Sequence, residues 1–236
     1  YILVLLSFLY LDIKYTKIII ITILLIQFFS TIYLFQIPIQ KSNPIIQYKG
    51  HQVTLQNGYY TLDNYYSNHH KDNLSSKFSY FNFFDKKIKK LFQKKYINFL
   101  CLGFGLGSIP LRTARYNFIK HIYCVDIDYS LFEIFKRLHP KYSNKIQLFC
   151  MDAEVDLRHS KRKYDLILDD IFDHKDKIFI DYQLVKTRLE PNGYFIINMF
   201  QTHFTAKIKK LLYSTFTKVT IDKVPKSGNL MIVCQK

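Results

Sequence analysis

The stretch "NFLCLGFGLGS", residues 98–108, decides how this chain is read. An apolar run ends in three glycines at alternate positions, Gly103, Gly105 and Gly107, and a helix-like segment follows. Glycine lets a backbone approach a ligand closely, and the first amides of a helix point outward without partners. Such a turn either cradles a nucleotide or only joins a strand to a helix. A lone G-x-G-x-G does not discriminate between the two.

The rest of the chain does. From residue 97, "INFLCL", "HIYCVDID", "KIQLFCMD", "YDLILDD" and "YFIINMF" read as strands, each followed by a helical segment. "FTKVTIDKV" and "NLMIVCQK" close the chain as two strands joined by a turn at Lys226 to Gly228. Strands alternating with helices predict right-handed crossovers and a parallel sheet covered on both faces. The closing hairpin makes the last strand antiparallel. The expected fold class is α/β, and ligands in such a sheet sit outside the carboxyl ends of the strands.

Those strand ends carry acids. Asp126, in "VDID", lies about 20 residues past the glycines, where a carboxylate can accept both hydroxyls of a ribose. "MDA" places Asp152 and Ala153 at the end of the third strand, within reach of an adenine amino group. "DDIFD" crowds Asp169, Asp170 and Asp173 at the end of the fourth. Each Asp taken singly is as well explained as a helix cap. Taken in order, the set points to an adenosine-containing cofactor, with a nicotinamide dinucleotide as the alternative.

The set "LGFGLGS", "VDID", "MDA", "YDLILDDIFD" and "LEPNGYFIINMF" resembles the class I S-adenosylmethionine-dependent methyltransferase fold, and within it the spermidine synthase-like branch. The resemblance covers about residues 97–236. It implies a Rossmann-like sheet of seven strands with the last antiparallel, and S-adenosylmethionine or its decarboxylated form as cofactor. It also implies Gly103, Gly105 and Gly107 at the cofactor, Asp126 at the ribose, and Asp152 with Ala153 at the adenine. Asp170 takes the place of the family's acid beside the reacting centre, Asp173 that of its partner, and Tyr80 that of a substrate-binding tyrosine. Two neighbouring carboxylates suit proton removal from an attacking amine, because crowding raises one of their pKa values.

Departures from the family pattern set the functional expectation. Leu106 stands where spermidine synthases carry a loop acid that holds the donor's amine, and Ser76 and Lys77 stand where two acceptor-binding acids precede Tyr80. A cationic polyamine meets poor complementarity at such positions. The expected activity is therefore methyl transfer to a small-molecule acceptor, with aminopropyl transfer as the alternative. A non-catalytic, membrane-anchored cofactor-binding or scaffold protein is the reading from another class.

Upstream, "IIIITILLIQFFSTIYLF" (residues 18–35) carries no charge and is long enough to cross a bilayer, which takes roughly 20 apolar residues. The expected organisation is a membrane anchor over 1–38, with a span about 18–37 and a partial earlier apolar run over 1–11. A linker and N-terminal hairpin/helix region follows over 39–96, and a catalytic domain over 97–236 that faces the cytoplasm, where the cofactor is made. Asn57-Gly58 signals a hairpin, which allows a homodimer of the kind that the resemblance implies. "FDKKIKKLFQKK" (residues 84–95) reads as a basic amphipathic helix with a solvated face, open to a membrane surface. His69 and His70 sit in a polar loop and read as solvated, and no metal set is evident.

The net charge of +16 looks like a nucleic-acid footprint. It is built of 28 Lys and only 6 Arg, and Arg is the residue suited to bidentate phosphate and base recognition. The composition argues against nucleic acid as a partner. Four cysteines without C-x-x-C spacing, each inside an apolar run, read as buried reduced thiols.

Overall fold

The computed structural model describes residues 44–63, 66–74, 79–92, 96–142, 145–173, 176–177 and 179–236, together with positions 22, 23 and 27. The expected membrane span, the apolar run 1–11, and Ser76 and Lys77 lie outside the described residues, apart from those three isolated positions. Among the described residues, no helix is long and apolar enough to cross a membrane.

A small antiparallel sheet comes first, in the order β1 (Ile46–Tyr48), β2 (His51–Gln56), β3 (Tyr59–Leu62), β4 (Tyr66–His70). Its central hairpin turns at Asn57 and Gly58, with φ of +50° and +82°, the left-handed pair a two-residue turn requires. The segment from Asn68 onward, expected to be a polar loop, begins with the last three residues of strand β4, and His69 among them is fully buried. Helix α1 (Ser79–Leu91) follows. It starts and ends earlier than the charge pattern suggested, because Phe81, Phe84 and Ile88 form its buried stripe. Lys86, Lys89 and Lys90 face solvent, while Lys87 pairs with Asp222 at 2.7 Å.

The large sheet is built from β5 (Ile97–Leu102), β6 (Ile119–Asp126), β7 (Ile146–Cys150), β8 (Tyr164–Asp169), β11 (Leu189–Phe200), β12 (Lys218–Lys223) and β13 (Asn229–Gln235). Two-residue strands β9 (Phe172–Asp173) and β10 (Asp176–Lys177) pair with each other. The order across the large sheet is β12-β13-β11-β8-β5-β6-β7, and β13 alone runs against its neighbours. The connecting helices are α2 (Ser108–Thr113), α3 (Tyr129–Leu138), α4 (Ala153–His159), α5 (Tyr182–Arg188) and α6 (Ala206–Thr215).

Side chains alternate across the sheet, so each strand feeds two cores. On β5, Phe99 and Cys101 join the core under α1 and α3, while Leu100 and Leu102 join the core under α4, α5 and α6. This two-sided burial is why the strands read as unbroken apolar runs. Three of the cysteines are buried as expected, but Cys150, at the end of edge strand β7, is exposed. A buried ion pair between Arg112 and Asp85 ties α2 to α1, and Arg112 also donates to the Leu74 carbonyl and to Asn82.

Candidate functional site

The carboxyl ends of β5, β6, β7 and β8 open onto a cleft of about 870 Å³. The glycine turn lines it. Gly103 has φ +82°, and a Cβ there would lie 2.5 Å from the Asp170 carbonyl oxygen, so only glycine lets the loop pass under the end of β8. Gly105, with φ +53°, also lines the cleft. Gly107 does not: it caps α2 at φ +70°, where a Cβ would strike the rings of Phe104 and Phe135. Its glycine is therefore required by packing. Leu106 is fully buried and belongs to the core under α1 and α3.

Asp126 holds the turn in place. Its Oδ2 accepts the Phe104 amide at 2.8 Å and its Oδ1 the Asp128 amide at 3.0 Å. Asp152 caps α4, with Oδ1 accepting the amides of Glu154 and Val155 at 2.9 and 3.0 Å, and it stands with Ala153 on the cleft wall. One residue is thus both the helix cap and part of the cleft lining. The exposed apolar side chains of Ile127 and Met151 line the same end, a pair of surfaces fit for a planar ring.

At the other end stands Asp170. Its backbone amide is pinned to the Leu102 carbonyl at 2.9 Å. Its Oδ2 accepts the Tyr80 hydroxyl at 2.8 Å, and its Oδ1 accepts the Asn198 side-chain amide at 2.7 Å. Asn229 in turn donates to Asn198 at 2.7 Å. Burial, reinforced by the charge of Asp170, pushes the Tyr80 hydroxyl well above its ordinary pKa, so it stays a donor. Asp173 lies on β9, and its side chain is outside the described residues.

Sequence reasoning missed Asn198, which reaches Asp170 from β11, Asn229 on β13, which reaches Asn198, and His51 on β2. The His51 ring has Asp63 Oδ2 at 2.7 Å on Nδ1 and Asp128 Oδ2 at 2.6 Å on Nε2. Burial alone would lower its pKa. The hydrogen bonds and charges of Asp128 and Asp63 outweigh that and raise it above 6.5. Six carboxylates line the cleft, namely Asp63, Asp126, Asp128, Asp152, Glu154 and Asp170, and among the described residues no Lys or Arg does.

A seven-stranded sheet with an antiparallel last strand, carrying a glycine turn and acids at its carboxyl edge, defines the class I S-adenosylmethionine-dependent methyltransferase fold. The spermine/spermidine synthase domain model matches residues 86–227, and the chain belongs to that family. It is 25% identical over 133 residues to polyamine aminopropyltransferase 2 of Hyperthermus butylicus, which covers 51% of this chain and 44% of the relative. The chain thus spans less than half of that relative's length.

Among solved structures, it is similar to spermidine synthase in complex with the transition-state analogue AdoDATO, with TM-score 0.58 and 15% identity over 79% of this chain and 70% of that one. Spermidine synthase of Thermotoga maritima gives 0.56 and 15%, over 79% and 69%. Human methyltransferase-like protein 13, in complex with SAH, gives 0.54 and 22%, over 62% and 74%. At such identities these likenesses establish the fold. A cofactor of the S-adenosylmethionine type accords with the family.

Proposed function

We propose that the chain is an aminopropyltransferase that uses decarboxylated S-adenosylmethionine and a small amine acceptor. The observation that carries this reading is the charge of the cleft: six carboxylates and no Lys or Arg among the described residues, in a chain of net charge +16. Such a lining favours a cationic donor and a cationic acceptor, and its one basic side chain among the described residues, His51, is already held between the carboxylates of Asp63 and Asp128. The name of the Hyperthermus butylicus relative supports the same choice. It reverses the expectation of methyl transfer, which rested on Leu106 and on positions 76 and 77.

The residues fit the cofactor in order along the cleft. The glycine turn would take the part around the sulfur, Asp126 the ribose, and Asp152 with Ala153 the adenine between Ile127 and Met151. When bound, the decarboxylated cofactor supplies a sulfonium whose aminopropyl carbon takes an amine lone pair as its C–S bond breaks, leaving a neutral thioether. Asp170 sits where the amine must lose a proton. Its carboxylate, aimed by Tyr80 and Asn198, accepts that proton and passes it to solvent. Asp173 is the second acid of this step, as its spacing suggests.

Burial of Leu106 in place of a loop acid favours a second reading, methyl transfer from intact S-adenosylmethionine. Isothermal titration of the full chain with each donor separates the two. Aminopropyl transfer requires the decarboxylated form to bind at least about tenfold more tightly, a difference of about 1.4 kcal/mol. The reverse preference installs methyl transfer, and binding of neither removes the enzyme reading.

A further inference from the structure

The small sheet reaches the large one at His51, and both nitrogens of that ring meet a carboxylate oxygen, at 2.7 Å for Asp63 and 2.6 Å for Asp128. A carboxylate only accepts, so both ring nitrogens must donate, and the ring is an imidazolium. Each carboxylate is fixed elsewhere as well. Asp63 Oδ1 accepts the Gln52 amide at 2.9 Å, which anchors it to β2. Asp128 Oδ1 accepts the Ser130 amide at 2.9 Å as the cap of α3, and also the Ser130 hydroxyl.

The network continues inward. The Asp128 amide donates to Asp126 Oδ1, and Asp126 Oδ2 holds the Phe104 amide of the glycine turn. Asp128 therefore links His51, through its side chain, to the carboxylate assigned to the ribose, through its backbone amide. His51, Asp63, Asp126 and Asp128 all line the cleft. The charged groups facing His51 are Asp63 from the end of β3 and Asp128 from the cap of α3. Arg137, on the last turn of α3, is engaged over the Tyr48 ring of β1.

We infer that His51 is a positioning residue for the donor: its doubly donating ring clamps Asp128 to the small sheet and so holds the Asp126 turn in the geometry that receives the ribose. This rests on the proposed function above, which assigns that turn to the donor. Loss of the ring proton breaks the clamp, because a neutral imidazole donates to one carboxylate and turns a lone pair on the other. Donor affinity is then set by the charge state of a residue on the appended sheet.

The test is the pH dependence of donor binding by the full chain, with decarboxylated S-adenosylmethionine and S-adenosylmethionine as probes, from pH 6 to 9. The wild type should lose affinity as pH rises through the raised His51 pKa. The loss should be about tenfold, the worth of one charge-assisted hydrogen bond. His51→Gln should bind with that weakened affinity at every pH. Asp63→Asn removes one of the charges that hold the proton, so it should move the midpoint of the wild-type profile to lower pH, an effect that general loosening does not produce. Histidine imidazole resonances of the wild type followed by NMR should show His51 titrating above 6.5. Donor binding that is flat with pH and unchanged in His51→Gln overturns the inference and leaves the proposed function standing. A wild type that binds neither donor overturns both.

Discussion

Asp170 shows how much of the site one residue can carry and how little of its support is written nearby. Its amide is pinned to β5, and its two oxygens are held by Tyr80 from α1 and Asn198 from β11. Substituting Asp170→Asn removes the proton acceptor but preserves size and much of the hydrogen bonding. It should lower kcat by about a hundredfold to ten-thousandfold, with donor affinity by titration unchanged. An equal loss of both would show Asp170 to be a binding residue. Gly103→Ala is the opposite kind of change. Its Cβ would collide with the Asp170 backbone in a left-handed conformation, which costs about 1–3 kcal/mol and should abolish donor binding. Gly228→Ala meets nothing within 4 Å and should leave both melting temperature and binding intact. Gly103 and Asp170 were legible because their chemistry is tied to the end of a strand. Asn198, Asn229, Asp63 and His51 were not, because nothing local marks them. They become a site only when the β2–β3 hairpin converges with β11 and β13, far along the chain.

At the scale of elements, the hairpin at Asn57 and Gly58 was legible from turn chemistry, and β4 was not. Its inward side chain is a histidine, which counts as polar in any hydropathy pattern, so "NHHKDN" reads as a loop. In the fold, His69 Nδ1 lies 2.9 Å from the Ser108 hydroxyl at the start of α2, and Nε2 lies 2.8 Å from His139 Nε2 at the end of α3. Two imidazoles can share one hydrogen bond only if the accepting nitrogen is unprotonated. Burial, with the charges of His139 and Arg112, lowers His69 to about 3; burial, with Lys141, lowers His139 to about 4. Both folded values lie below the unfolded value of 6.5. Their stabilisation is therefore complete above pH 6.5 and is lost as pH falls towards 4. His51 has the opposite sign: raised in the fold, its contribution is complete below 6.5 and is lost as pH rises through its folded value. Thermal melts across pH should show an acid limb that His69→Asn flattens, although that variant starts less stable at pH 7.5. An acid limb of unchanged steepness would mean that other groups set it.

At the scale of the whole molecule, two fields of opposite sign meet. The chain carries +16, mostly as lysine, while the cleft is lined by carboxylates. The basic surplus was legible from composition, but its meaning was not, since the sign that matters to a ligand is that of the cleft. A cationic acceptor is repelled at long range and attracted once inside. Salt separates the two, because the screening length shrinks from about 30 Å at 0.01 M to about 10 Å at 0.1 M and about 3 Å at 1 M. Surface lysines act over the longer distances and are screened first. The cleft carboxylates act over a few ångströms in partly desolvated surroundings and are screened last. The acceptor KM should therefore fall, or stay level, as ionic strength rises from about 0.01 to about 0.1 M, and should climb only towards about 1 M. Inhibition by the neutral thioether product, which carries no net charge, should change little over the same range. A KM that climbs steadily from the lowest salt would show that the surface lysines exert no repulsion at the cleft mouth. One that falls throughout would mean that the acceptor is not bound by the carboxylates, and the proposed class of substrate would then be wrong.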